Sequence, residues 1–289
     1  MTAPRLVLVD GDIVINKACF AAETRWYQVT GQEEEYPRKF KYKRDADKHA
    51  KELTNAEILK CKDVLPLPMI RNIADQIING IKKGSNCEEL KIIVGPPSGS
   101  LTFRHEAATI LPYKGNRDPS DRPEHLGEIR QYLIEKYKAA VAHDMETDDL
   151  LGIIQCAEEG TAIASIDKDL LQIPGLHYNI NSKDFILASD PGMLSLGRSS
   201  NNKLVLKGYG YKWFCTQMLM GDAVDNIPKP VKGIGPKKGY ELMHEAEEPA
   251  DMWKVVEATY ENSSGVSIEE NATLLWILRN GTGNWEELL

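Results

Sequence analysis

The sequence predicts an α/β protein: a parallel sheet covered by helices, followed by a mainly helical segment. Three observations carry this reading. Short apolar runs rich in β-branched residues recur along the first part of the chain, helical stretches separate them, and a basic region of helical pattern follows a turn-rich stretch near residue 200. With 289 residues, 42% of them apolar and 27% charged, the chain is long enough for a sizeable core, and its composition excludes disordered and low-complexity classes.

Leu6 to Val9, Ile92 to Val94 and Ala162 to Ile166 read as strands buried on both faces, each stopping at a polar or loop-forming segment. Helices are expected over Leu53 to Leu59, Ile70 to Ile81, His125 to Ala140 and Asp148 to Ala157. The last has Leu150, Leu151, Ile153, Ile154 and Ala157 at helical spacing. Residues 23–51 are densely charged yet carry Trp26, Tyr27, Tyr36, Phe40 and Tyr42, the composition of a projecting hairpin or arm. Tyr178 to Leu206 is broken by Asp190-Pro191-Gly192 and by Ser199 to Asn202, and reads as hairpins at a domain boundary. An amphipathic helix is expected after it, over Trp213 to Met220. Two domains are therefore expected, residues 1–205 and 206–289.

Five scattered cysteines form no CxxC and no Cys/His metal spacing, and an odd number does not suit a disulfide framework. The opening MTAPRLVLVDGD puts two aspartates where a signal peptide would still be apolar, so a soluble, cytoplasmic protein without a membrane partner is expected. The net charge of −8 hides an asymmetry. From Lys203 to Lys238 seven lysines face only Asp222 and Asp225, whereas Glu241 to Leu289 sets Lys254 and Arg279 against eleven carboxylates.

The first chemical signal is LVLVDGD, where a buried strand delivers Asp10 into a glycine turn, because ligands of open parallel sheets bind at the strands' carboxyl ends. Alone, Asp10 is better read as a turn or cap residue. It is joined by METDD, which puts Glu146, Asp148 and Asp149 at a helix start, and by SIDKD, which puts Asp167 and Asp169 just beyond another strand. Acidic residues in a first helical turn favour the macrodipole, which accounts for one such cluster but not for several converging on one edge, where they repel unless cations hold them. GDAVDN adds Asp222 and Asp225. Oxygen-only donors suit Mg²⁺ or Mn²⁺, and eight carboxylates suffice for two such ions, the arrangement used for in-line phosphoryl displacement.

Two basic turns complete the pattern. LPYKGNRDP presents Tyr113, Lys114, Asn116 and Arg117 around a glycine; such a turn is ordinarily only solvated surface. VKGIGPKKGYELM is stronger. Gly233, Gly235 and Pro236 form a tight turn into a helix whose first turn holds Lys237 and Lys238, with Lys232 just before, and cations there oppose the helix dipole. Free backbone N–H groups and lysines together make a phosphate clamp that grips a nucleic-acid backbone without reading bases.

With Asp10, YKGNR, METDD, SIDKD, GDAVDN and GIGPKK in this order, residues 6 to about 245 resemble the 5′-to-3′ exonuclease and flap endonuclease family, which includes phage 5′-exonucleases and the 5′-nuclease domain of bacterial DNA polymerase I. The resemblance implies a PIN-like nuclease sheet domain followed by a helix-three-turn-helix DNA-binding domain, with a K⁺ site at the Gly233–Gly235 turn. It assigns Asp10, Glu146, Asp148 and Asp149 to a first metal, and Asp149, Asp167, Asp169, Asp222 and Asp225 to a second. Lys114 and Arg117 match scissile-phosphate contacts. DNA with a 5′ end, and RNA:DNA hybrid beside it, are the implied substrates of a monomer working in phage-type replication or recombination, in the host cytoplasm.

The sequence departs from the family at two places. The loop after Ile92 to Val94 reads GPPSGSLTFR, without the carboxylate common there, and Arg117 to Glu146 is short for a helical arch that threads a 5′ end. A rival reading, a haloacid-dehalogenase-type phosphatase, rests on DGDIV and GDAVD with Asp10 as nucleophile and Asp12 as its acid/base partner, but leaves METDD, SIDKD and GIGPKK unexplained. A catalytically inactive DNA-binding protein of the same fold is the other alternative. Retention of eight repelling acids weighs against it.

Overall fold

The computed structural model describes residues 3–97, 99–263, 265–281 and 285–288. Strands β1 (Leu6–Asp10) and helix α1 (Gly11–Ala21) open the chain. An insert follows: β2 (Glu23–Thr30), β3 (Arg38–Phe40), α2 (Lys43–Ala50) and β4 (Glu57–Val64). The α/β alternation resumes with α3 (Leu67–Ser85), β5 (Leu90–Val94), α4 (Phe103–Ala107), α5 (Leu126–Tyr137), β6 (Ala140–Val141), α6 (Thr147–Ala157), β7 (Thr161–Ser165), β8 (Gly175–Asn179) and β9 (Phe185–Ala188). A hairpin of β10 (Met193–Arg198) and β11 (Leu204–Tyr209) leads into α7 (Gly210–Met220), α8 (Pro236–Met243), α9 (Pro249–Tyr260) and α10 (Ile268–Leu275).

The central sheet has the order β6-β5-β1-β7-β8-β9, parallel except for β9. Successive residues of a strand point to opposite faces, and the core divides accordingly. Val7, Val9, Ile92, Val94, Ala162 and Ala164 join the helices α1, α3 and α5 in one apolar cluster. Leu6, Leu8, Ile93 and Ile163 join Leu151 of α6 and Ile277 in another on the opposite face. Burial on both faces explains why these strands are continuous apolar runs rather than alternating ones. Parallel pairing also fixes where chemistry can sit, since β1, β5, β6 and β7 all end at the same edge.

Helix α1 lies close against that edge. A Cβ on Gly11 would stand 2.4 Å from the carbonyl oxygen of Ile93, so only glycine allows the β1–α1 turn to pack there. A third apolar cluster lies among α7 to α10, with Phe214, Met218, Met252, Val256, Leu275 and Trp276.

Several expectations are corrected. The helix expected at Leu53 to Leu59 is instead a turn followed by the first three residues of β4, which pairs with β2 from Glu23↔Val64 to Thr30↔Glu57; cross-strand pairing overrides a short apolar spacing. Residues 23–51 are not a lone hairpin but part of a three-stranded antiparallel sheet, β3-β2-β4, carrying α2. Helix α7 is buried along nearly its whole length rather than amphipathic. The expected boundary at 205/206 cuts β11, whose pairing with β10 keeps the two strands together. The acidic region beyond Glu245 is folded, with Trp253 and Trp276 buried. No described helix is long and apolar enough to cross a membrane.

Replacing Gly11 with Ala should lower unfolding stability by about 1–3 kcal/mol, the usual cost of overpacking against fixed backbone. Urea denaturation measures it, and an unchanged midpoint would mean that α1 can move away from β5 without cost.

Candidate active site at the carboxyl edge of the sheet

Asp10 ends β1 and caps α1. Its Oδ1 accepts the Ile13 N–H at 3.1 Å and its Oδ2 accepts the Ser165 hydroxyl at 2.7 Å, and the residue is 2% exposed. Burial, reinforced by Asp12 and Asp167, pushes its pKa up to about 7. Asp148, in the first turn of α6, is also pushed well above the usual carboxylate range by burial and by Asp167, Asp10 and Glu146. Asp169 rises to about 7 through burial and the neighbouring Asp167, against the opposing charge of Lys168 and with smaller contributions from Asp222 and Asp225. Gln217 donates to its Oδ1 at 2.7 Å. The Asp167 carboxylate itself accepts the Asp169 amide at 2.9 Å. Asp10, Asp148, Asp167 and Asp169 therefore crowd one place with little cationic compensation; Lys168, 3.9 Å from Asp169, is mostly exposed.

A second group is already neutralised. Glu146 accepts from Lys114, and from the Tyr113 hydroxyl at 2.9 Å. Burial raises the Glu146 pKa, but Lys114 and Arg104 overcome this and hold it below the usual value. Asp225 takes the same Tyr113 hydroxyl at 3.0 Å and the Arg117 guanidinium at 2.5 Å. Asn116 donates to the Ala223 carbonyl at 2.6 Å, Asn226 to that of Pro112 at 2.8 Å, and the Lys114 amide to that of Asp225 at 2.9 Å. The 112–117 and 222–226 loops are thus stitched into one unit. Asp222 turns its Oδ1 back onto the Val224 amide at 2.6 Å. The Tyr113 hydroxyl and the Asn116 side-chain amino group, expected as DNA contacts, take part in this stitching.

Asp149 departs from its expected role as a ligand shared by two metals. It is fully buried, its two oxygens grip the Arg104 guanidinium at 2.5 and 2.8 Å, and they also accept the Glu146 and Leu278 amides at 3.0 and 3.1 Å. Little of the carboxylate is left to offer an ion. Arg104 in turn donates to the Leu274 and Trp276 carbonyls at 3.0 and 2.5 Å. Nothing in the local sequence around Arg104 announced this; its partners lie 45 and about 170 positions away.

Asp12 is the site residue with the most to add beyond the sequence expectations. It accepts the Thr147 hydroxyl at 2.6 Å and the Gly95 amide at 3.2 Å. A Cβ at Gly95 would meet its Oδ2 at 2.7 Å. The Asp12 carboxylate therefore fills the space beside the carboxylate-free loop after β5. Ser98, in that loop, lies outside the described residues.

In the loop before α8, Gly233 adopts φ +90°, Gly235 precedes the helix, and the exposed Lys237 and Lys238 stand 3.7 and 3.9 Å from Glu241. Lys232 is exposed beside them. Within the turn expected to hold K⁺, the Ile234 carbonyl already accepts the Lys229 ammonium at 3.1 Å.

The edge fits a hard divalent cation in the chemistry of its donors, all of them oxygens. Among the described residues no three such side chains already converge in coordinating geometry.

The sequence matches no protein-family model and no curated protein sequence. Fifteen chains of solved structures match, among them the T5 D15 protein co-crystallised with metal ions, with a TM-score of 0.50 and 16% identity over 93% of this chain and 88% of that one. At that identity the likeness is one of fold: a mixed α/β protein on a mostly parallel sheet.

Two outcomes follow from the charges. Because Asp10 and Asp169 bind protons more tightly folded than unfolded, metal-free stability should fall as pH rises through about 7, and Asp10→Asn should flatten that fall in pH-dependent melting curves. Arg104→Met should cost about 3–5 kcal/mol by stranding buried Asp149, and adding Asp149→Leu should recover part of it in urea unfolding.

Proposed function

We propose that the chain is a divalent-cation-dependent nuclease that hydrolyses DNA phosphodiesters from or near a 5′ end. The observation that carries the reading is the set Asp10, Asp148, Asp167 and Asp169, crowded at the carboxyl edge of a parallel sheet beside two phosphate-sized cations, Lys114 and Arg117. The ordered motifs support it. So does the fold shared with the T5 D15 protein, which was crystallised with metal ions.

When bound, Mg²⁺ or Mn²⁺ would lower the pKa of an attacking water and stabilise the leaving 3′ oxygen. Asp10, Asp148, Asp167 and Asp169 are the proposed holders, with Asp12 standing in for the carboxylate missing after β5, and with Glu146, Asp222 and Asp225 at the rim. Lys114 and Arg117 orient the phosphate: their N–H donors now rest on Glu146 and Asp225, and a phosphodiester at the edge competes for the same donors. Asp149 keeps a positioning role, holding the start of α6 against Arg104. Gly233, Gly235, Lys237 and Lys238, with Lys232, are the proposed duplex grip away from the chemistry, where exposed lysines and backbone N–H groups contact phosphates without reading bases.

The site does not suit a haloacid-dehalogenase-type phosphatase. Asp12 is held by Thr147 and Gly95, and Asp222 follows the buried helix α7 where that motif requires a strand.

Asp148→Asn should abolish Mg²⁺-dependent release of 5′-phosphorylated products from labelled duplex DNA while leaving DNA binding intact or tighter, because one repulsive charge near phosphate is gone. Wild-type turnover in that variant at saturating Mg²⁺, or no hydrolysis by the wild type, would overturn the assignment.

A further inference from the structure

The inserted arm carries chemistry that the proposed site does not use. From Tyr36 to Arg44 the chain reads Tyr-Pro-Arg-Lys-Phe-Lys-Tyr-Lys-Arg, with five cations, three aromatic rings and no carboxylate. Tyr36 is 74% and Tyr42 56% exposed, although burial of such rings is what stabilises a fold. Two lysines already lie over rings: Lys39 stands 4.9 Å from the centre of Trp26, and Lys41 5.5 Å from that of Tyr42. Arg38 and Arg44 have acidic neighbours in Glu34 and Asp45, at 3.7 and 3.1 Å. Lys39, Lys41 and Lys43 are exposed and have no ion-pair partner among the described residues.

The arm is tied to the site. Arg25 donates to the Asp121 carbonyl at 3.0 Å, the Glu124 amide to Glu23 at 2.6 Å, Lys62 pairs with Glu124 at 3.0 Å, and Lys60 pairs with Asp121. Those anchors sit in the segment that directly follows the Lys114–Arg117 loop. A groove of about 830 Å³ is lined by Lys114, Arg117 and Glu146 together with Asp121 of the segment that anchors the arm, and with Phe20 and Arg130.

We infer that the basic aromatic segment of the arm, residues 36–44, holds the single-stranded 5′ tail of a DNA substrate whose reacting phosphate lies at the carboxylate edge. Spaced cations follow a phosphate backbone, and exposed rings stack on bases of any identity; together they make a sequence-tolerant single-strand platform. The inference rests on the nuclease reading for the position of the reacting phosphate. Its binding test does not need hydrolysis.

A labelled oligothymidylate and two duplexes, one with a 5′ tail and one with a 3′ tail, are titrated without divalent cations. Lys39→Glu, Lys41→Glu and Lys43→Glu combined should weaken binding to the oligonucleotide and the 5′-tailed duplex, and reduce the slope of log affinity against log salt by about 2, at ~0.7 per phosphate of a single strand. Tyr36→Ala with Tyr42→Ala, exposed positions that leave the core untouched, should weaken both by about thirtyfold or more with the salt slope unchanged. The 3′-tailed duplex should be affected little by either set. Unchanged affinity of both variant sets for the oligonucleotide and the 5′-tailed duplex would overturn the inference, as would equal losses on both tails. If the arm variants lose 5′-tail affinity while no form of the protein hydrolyses DNA with Mg²⁺, the nuclease reading falls and the single-strand site stands.

Discussion

Mutual repulsion among carboxylates at the end of a parallel sheet is the constraint around which this molecule is arranged. Parallel pairing brings β1, β5, β6 and β7 to a common edge, and the acids that follow those strands cannot be separated without giving up the sheet. The protein divides them. Asp149 is silenced by Arg104, and Glu146 and Asp225 by Lys114, Arg117 and Tyr113. Asp10, Asp167 and Asp169 are left with hydrogen bonds from neutral donors and, at the margin, Lys168, while Asp148 is crowded by Asp167 and Asp10. Burial makes their charge costly, and that cost is what a bound cation would remove.

The C-terminal region does more than fill space behind this edge. The end of α10 gives Arg104 the Leu274 carbonyl, and the segment after it gives Arg104 the Trp276 carbonyl and Asp149 the Leu278 amide, so the start of α6, with Glu146 and Asp148, is fixed from outside the sheet. The approach is tight: a Cβ on Gly152 of α6 would lie 2.3 Å from the Leu278 carbonyl oxygen. A buried pair of this kind adds little net stability against an apolar substitute, but it tolerates no loss of one partner. Its effect is to hold one register between helix and tail.

The parts legible in the sequence were those with local periodicity or local motif. The strands at Leu6, Ile92 and Ala162 announce themselves because burial on both faces demands unbroken apolar runs; Asp10, Asp167 and Asp169 could be found because strand ends are marked by those runs, and Asp148 because METDD opens a helix of clear apolar spacing. β4 was misread because its pairing with β2 is set by distant residues rather than by its own spacing. The Arg104–Asp149 pair was invisible for the same reason, and without it METDD reads as three equivalent acids. Asp12 was in view, but its placement against Gly95 and Thr147 is a fact of packing. The tyrosine and asparagine of YKGNR look like ligand contacts in sequence; only the opposing 222–226 loop reveals them as fasteners.

The central claim, that the uncompensated carboxylates form a cation site, is tested most directly by calorimetric titration of the metal-free protein with Mg²⁺ in buffers of different ionisation enthalpy between pH 6 and 8. Because Asp10 and Asp169 hold protons up to about pH 7, binding should tighten as pH rises and release protons at the lower pH values. Mg²⁺ binding with no proton release and no pH dependence, or no binding at all, would contradict it.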